Sequence, residues 1–151
     1  MTSTSGQSRS YPTRPYLAVS AAIFHNGRVL IVRRAQPPAQ GVFTLPGGGV
    51  ELGGTLEEAV IREVRVETGL EIEPVELAGY RQMIARDADG RIERHFVILP
   101  FAARWIGGEI SLNEELAEAN WLLPSELSGL KTTEGLAAII AAASQRIAAS
   151  P

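Results

Sequence analysis

The sequence predicts an α/β (α+β) domain: a mixed β-sheet sandwiched between helices. Three observations predict it. Apolar β-prone runs and helical runs follow one another as β-β-helix-β-β-β-helix, an order that places helices on the faces of a mixed sheet. Turn signals, Asn26-Gly27 and Asp87-Ala88-Asp89-Gly90, separate neighbouring β-prone runs. A charged helical stretch in the middle carries its own start and stop residues.

Tyr16–Phe24 is apolar and strand-like, and the turn His25-Asn26-Gly27-Arg28 leads into Val29–Val32, which makes a β-hairpin. Gln36–Gln40 holds two prolines and reads as a loop, and Gly41–Leu45 as a short strand entering a glycine turn at Gly47–Gly49. Thr55 then opens a helix. Its hydroxyl can accept the N–H three residues on while Glu58 reaches back, a capping box. The helix is expected to end near Thr68, with Gly69 as its left-handed cap. Leu56, Ala59, Val60 and Val64 form its apolar stripe.

Val75–Ala85 and Ile92–Trp105 read as two long strands of a second hairpin. Pro100 lacks an N–H and suggests an edge position or a bulge. Gly107-Gly108 starts a turn, Ala119–Leu123 reads as a short strand and Pro124–Leu127 as one helical turn. An alanine-rich helix is expected from Thr132 or Thr133 to about Ala149.

The chain of 151 residues fits one domain. Residues 1–14 are rich in Ser and Thr and read as a flexible tail, not a signal peptide, which leaves 15–151 as the domain. Apolar runs of about eight residues fall well short of the about 20 that a membrane span needs. The absence of cysteine removes disulfides, thiolate metal sites and a cysteine nucleophile, and fits a cytoplasmic protein. A net charge of −3 gives no general attraction for nucleic acid. The charge is uneven: residues 51–76 carry eight Glu and two Arg, a local charge of −6, so the remainder sums to +3. Clustered carboxylates repel one another unless a cation neutralises them.

On the central helix Glu63 and Glu67 are one turn apart and share a face. Their oxygens can share a hard divalent cation. Magnesium prefers six oxygen ligands and readily keeps several waters, so two carboxylates, backbone carbonyls and phosphate oxygens suffice for one ion. A solvated acidic helix face is the plainer alternative for the same residues.

Residues 48–70 resemble the Nudix box, G-x5-E-x7-R-E-U-x-E-E-x-G-U with U aliphatic. Gly48, Arg62-Glu63-Val64, Glu67 and Gly69-Leu70 fit the pattern, and Pro46-Gly47 and Glu51 are also typical of the family. Two positions depart from it: Gly54 and Val66 stand where the pattern has glutamate. The resemblance implies hydrolysis of a nucleoside diphosphate linked to another moiety, with Mg2+ (Mn2+ as substitute). It implies Glu63 as metal ligand and base, Glu67 as principal metal ligand and the Gly47 carbonyl as backbone ligand. A later acidic residue would complete the site, with Glu115 first and Glu114 and Glu118 behind it. Arg62 is as readily explained by an ion pair with Glu58.

Substrate-binding candidates are Arg33, Arg34, Phe43, Arg81 and His95. Phe43, Tyr80 and Phe96 could stack on a base, although core packing explains each of them better. A small nucleotide such as ADP-ribose is the expected partner, ahead of nucleotide sugars and oxidised nucleoside triphosphates, with neither nucleic acid nor membrane. A homodimer is common in the family, and this sequence does not decide it. The two missing glutamates predict reduced activity. The competing expectations are a nucleotide-binding module that cleaves weakly or not at all and has a regulatory role, or a fold kept for protein interaction.

Overall fold

The computed structural model describes residues 9–151; the first eight residues of the tail expected at 1–14 lie outside them. Its elements are β1 (Tyr16–His25), β2 (Arg28–Arg34), β3 (Phe43–Thr44), β4 (Gly47–Gly49), α1 (Leu56–Thr68), β5 (Glu71–Leu77), β6 (Arg81–Arg86), β7 (Ile92–Gly107), β8 (Leu116–Leu122) and α2 (Leu136–Ala149), with one 3₁₀ turn at Pro124–Leu127. The sheet runs β3-β2-β1-β7-β5, while β4 pairs with β1, β6 with β7 and β8 with β2. The β1–β7 pair is parallel, from Tyr16 opposite Phe96 to Phe24 opposite Arg104, and the other pairs are antiparallel. This is the mixed sheet that the element order predicts.

Helices cover both faces, so the central strands are apolar on both sides. Val19, Ala21 and Ile23 of β1, Leu30 and Val32 of β2, and Phe101 and Ala103 of β7 share one cluster with Ala59, Val60 and Val64 of α1. The alternate residues Ala22, Val29, Ile31 and Ala102 join Leu136, Ile140 and Ala143 of α2. The period of two along each strand sorts the side chains between the two layers.

Several boundaries differ from the sequence reading, each for a local reason. Gly47–Gly49 is not a turn but the strand β4, paired with Ser20, Val19 and Ala18. The expected strand Val75–Ala85 is two strands, broken at Ala78–Tyr80, where Gly79 has φ 137°. Pro100 is neither on an edge nor at a bulge of its own strand. It sits in the central strand β7, opposite Ser20, at the gap between β6 and β5. Its carbonyl accepts from the Ala78 N–H at 2.8 Å. The nitrogen of a strand residue faces the same neighbour as its carbonyl, so the missing donor points into that gap. Helix α2 begins at Leu136 rather than at 132 or 133, because Thr132 bridges to Phe43 and the Thr133 N–H donates to the Phe43 carbonyl.

Candidate active site

Helix α1 is fixed at both ends. The Thr55 hydroxyl accepts from the Glu58 N–H at 3.1 Å and the Glu58 carboxylate accepts from the Thr55 N–H at 2.9 Å. Gly69 closes the other end at φ 78° and donates to the Arg65 carbonyl. With Ala59, Val60 and Val64 buried in the sheet, the helix turns Glu63 and Glu67 toward β4.

The glycines of β4 permit that approach. A Cβ on Gly47 would collide with the Val19 carbonyl of β1. A Cβ on Gly48 would occupy the space of the Glu63 carboxylate. The Ala21 N–H donates to the Pro46 carbonyl and the Val50 N–H to the Leu17 carbonyl. Residue 47 therefore turns its own N–H and carbonyl away from β1, and its N–H donates to Glu67 Oε1 at 3.1 Å. The Gly47 carbonyl faces the same way, as its expected ligand role requires.

Burial pushes the Glu67 carboxyl up to about 8, and the neighbouring Glu63 and Glu115 push the same way against the Gly47 N–H and Arg34. Burial also raises Glu63, partly offset by Arg62. Arg62 does not pair with Glu58. Its Nε lies 3.4 Å from Glu63 and its terminal nitrogen donates to the Gly49 carbonyl, while Glu58 is committed to the helix cap. Glu118 is also committed elsewhere, accepting from Arg33 at 2.6 Å and from Asn120 at 2.8 Å.

Glu63 and Glu67 line a cleft of about 610 Å³, together with Val66, Glu114 and Glu115. Among the described residues no three acidic or imidazole side chains form a complete metal-binding group, so Glu115 does not close a three-carboxylate cage with Glu63 and Glu67. Val66, on the same helix face, lines the cleft and is more than half exposed, where the family pattern has a carboxylate.

Of the substrate-binding candidates, Arg34 and Arg81 line this cleft and Arg33, Phe43 and His95 do not. Arg33 is held by Glu118 on β8. Phe43 packs on the α2 core. In β7 the residues at the cleft are Arg94, Phe96, Ile98 and Pro100, so His95 between the first two points to the other side. Phe96 is thus a cleft residue, contrary to its expected core role. Arg9, Met83 and Arg94 are cleft residues that the sequence reading missed. The alternation of β7 could have found Arg94, whereas nothing near Arg9 in the sequence marks it. Arg34 is tied to the Pro38 carbonyl at 2.7 Å and Arg81 to the Glu134 carbonyl at 3.2 Å.

The chain matches the NUDIX domain over residues 14–143. It is 37% identical over 107 residues to an ADP-ribose pyrophosphatase of Methanocaldococcus jannaschii, covering 71% of this chain and 61% of that one. It is 34% identical to the nucleoside triphosphatase NudI of an Enterobacter species, covering 77% of this chain and 87% of that one. The crystal structure of a MutT NUDIX hydrolase from Burkholderia pseudomallei superimposes with a TM-score of 0.73 at 27% identity, covering 85% of this chain and 97% of that one. With the family match spanning residues 14–143 and these relatives sharing its length and fold, the chain belongs to the Nudix hydrolase superfamily.

Proposed function

We propose that this chain hydrolyses the pyrophosphate bond of a small nucleoside diphosphate derivative, with ADP-ribose as first choice and activity reduced by Gly54 and Val66. The observation that carries this reading is the Glu63–Glu67 pair: two carboxylates raised by burial, set against a backbone free to contribute a carbonyl, in a cleft that also holds four arginines. The donors are all oxygens, which suits magnesium or manganese over softer metals. Carboxylates that are buried and mutually repelling are stabilised by a cation more than exposed ones are.

Glu63, Glu67 and the Gly47 carbonyl would hold the ion, with Glu115 at its margin. A divalent ion bound there would neutralise the diphosphate and favour attack of water on phosphorus. The protein's own part is to place groups. Gly47 orients Glu67, Gly48 makes room for Glu63, and Glu63 would accept a proton from the attacking water. The arginines bind phosphate oxygens as planar, permanently charged donors. Substrate choice rests on the similarity to an ADP-ribose pyrophosphatase, of whose length this chain spans 61%. The NudI relative points instead to nucleoside triphosphates.

Phosphate-release assays across ADP-ribose, nucleotide sugars and nucleoside triphosphates, with magnesium and with manganese, test the reading. Turnover should require the metal and fall at least about hundredfold in Glu67→Gln, since loss of mere supporting groups already costs about 10–100-fold. Equal turnover in Glu67→Gln would sink it. Exposed Val66 at the cleft favours one second reading, a module that binds nucleotide without cleaving it. That reading requires calorimetric binding of ADP-ribose with no turnover of any compound in the panel.

A further inference from the structure

We propose that Arg9 is a substrate-binding residue, held in the cleft by a strap formed from the segment ahead of β1. The inference takes from the proposed function only that the ligand carries phosphate groups.

The strap has its own anchor. The Tyr11 N–H donates to the Glu93 carbonyl at 2.8 Å, and the phenol donates to Asp87 Oδ2 at 2.9 Å. The Arg91 guanidinium lies over the Tyr11 ring, 4.7 Å from its centroid. These contacts tie residue 11 to the β6–β7 hairpin. Pro12 and Pro15 then restrict the path into β1.

The anchored segment delivers Arg9 to one place. Its guanidinium lies over Tyr16 at 5.1 Å and over Phe96 at 5.8 Å, two rings that are partners across the parallel β1–β7 pair. It also rests on β4: a Cβ on Gly49 would come within 2.7 Å of its terminal nitrogen, so the third glycine of that strand keeps this berth open. Its charge reaches Glu63, where burial raises the carboxyl and Arg9 offsets a small part of that rise. Yet among the described ion pairs none involves Arg9. A guanidinium seated on aromatic faces, near Glu63 and in none of the described ion pairs, presents its in-plane N–H groups to an anion. Phosphate oxygens match that fork.

The test is calorimetric binding of α,β-methylene ADP in magnesium, which reports affinity without turnover. Arg9→Met keeps the stem that covers the rings and removes the charge. It should weaken binding about tenfold, the usual size for losing a hydrogen bond between charged groups. Arg9→Lys should fall between the two, and the melting temperature of both should stay near that of the wild type. Tyr11→Ala cuts the anchor outside the cleft and should weaken binding severalfold. That loss should largely vanish in the Arg9→Met background, because both changes remove the same interaction. Wild-type affinity in Arg9→Met, no binding of the probe by the wild type, or fully additive losses in the double variant would each overturn the strap. Absence of metal-dependent hydrolysis would sink the proposed activity and leave this binding test standing.

Discussion

The acidic and the basic side chains of the cleft are built in opposite ways. Glu63 and Glu67 lie one turn apart on one helix, pressed against a three-residue strand from the same stretch of chain. Arg9, Arg34, Arg81 and Arg94 come from four segments: the strap, β2, β6 and β7. The first set is positioned by backbone, through helix caps, glycines that admit close approach and a main-chain N–H on Glu67. The second is positioned by what each separate guanidinium reaches: distant main-chain carbonyls for Arg34 and Arg81, rings for Arg9. Backbone-built chemistry tolerates little change, whereas a set of separate arginines can be altered one at a time. Damage to the acidic set should therefore appear in kcat, and damage to the basic set in KM.

The sharpest break of that contrast is Gly48→Ala. The atoms nearest to the added methyl all belong to the Glu63 side chain, from Cγ to Oε1, and that side chain can swing away, so the fold should survive. The displaced carboxylate should lower kcat about 10–100-fold, the range for disturbing groups around a metal site. Gly47→Ala next to it meets the Val19 backbone instead and should cost about 1–3 kcal/mol of stability. Steady-state kinetics and thermal melts of the two variants separate the effects. Similar kcat in Gly48→Ala and wild type would mean that Glu63 has no catalytic post.

Next in size is repair of the acidic set. Gly54 has an ordinary backbone conformation, and a Cβ there meets only the Glu51 carbonyl, at 3.3 Å. Val66 already faces the cleft. Both positions can accept glutamate, and Gly54→Glu with Val66→Glu should raise magnesium-dependent kcat about tenfold. An unchanged kcat in the double variant would show that these departures do not limit the enzyme.

The same contrast explains what could be read in advance. The acidic set was legible because its residues are contiguous: one helical period places Glu63 and Glu67, and one spacing rule links them to the glycines. The two helices, the first hairpin and the mixed sheet were legible from periodicity and turn residues. The strand β4 was not, because three glycines read locally as a turn and become a strand only through pairing with β1. The split between β5 and β6 falls opposite Pro100 of the neighbouring strand, a long-range juxtaposition that no local pattern records. The arginines illustrate the same limit. Arg33 and Arg34 look alike in sequence, yet strand alternation and Glu118 take Arg33 away from the cleft. Arg9 needed a tether through Tyr11 to a hairpin far along the chain.

A smaller effect sharpens the basic side of the comparison. Arg94 lines the cleft and takes part in none of the described ion pairs. Arg94→Met should raise KM for the best substrate about fivefold with kcat nearly unchanged, a cost near 1 kcal/mol for one exposed charged contact. A fall in kcat with constant KM would place Arg94 with the chemistry and erase the division.

The smallest expected effect is on stability, and it returns to the acidic set. In the metal-free chain the Glu67 carboxyl is raised from 4.5 to about 8, chiefly by burial. A raised acid favours the folded state while it is protonated. Its contribution is complete below the unfolded value near 4.5 and is lost as pH climbs toward 8. At about 1.36 kcal/mol per pH unit the ceiling is roughly 5 kcal/mol. Glu67 keeps partial solvent access, which screens part of this, so the expected loss is about 2 kcal/mol, or roughly 5 °C in a domain of this size. Glu58, Glu71, Asp87 and Glu118 shift the other way, each lowered first by a hydrogen bond to Thr55, Arg65, Tyr11 and Arg33 respectively. Their contributions are present above about 4.5 and fade only in more acid solution, so the two windows do not overlap. Melts in EDTA should thus show a decline between pH 5 and 8 that Glu67→Gln makes much shallower, with the raised Glu63 supplying what is left. Magnesium should recover the lost stability at pH 8 in the wild type and not in the variant, since a cation that binds only the folded carboxylates stabilises by mass action. The same decline in Glu67→Gln would assign the slope to another group and leave the acidic wall without its buried charge.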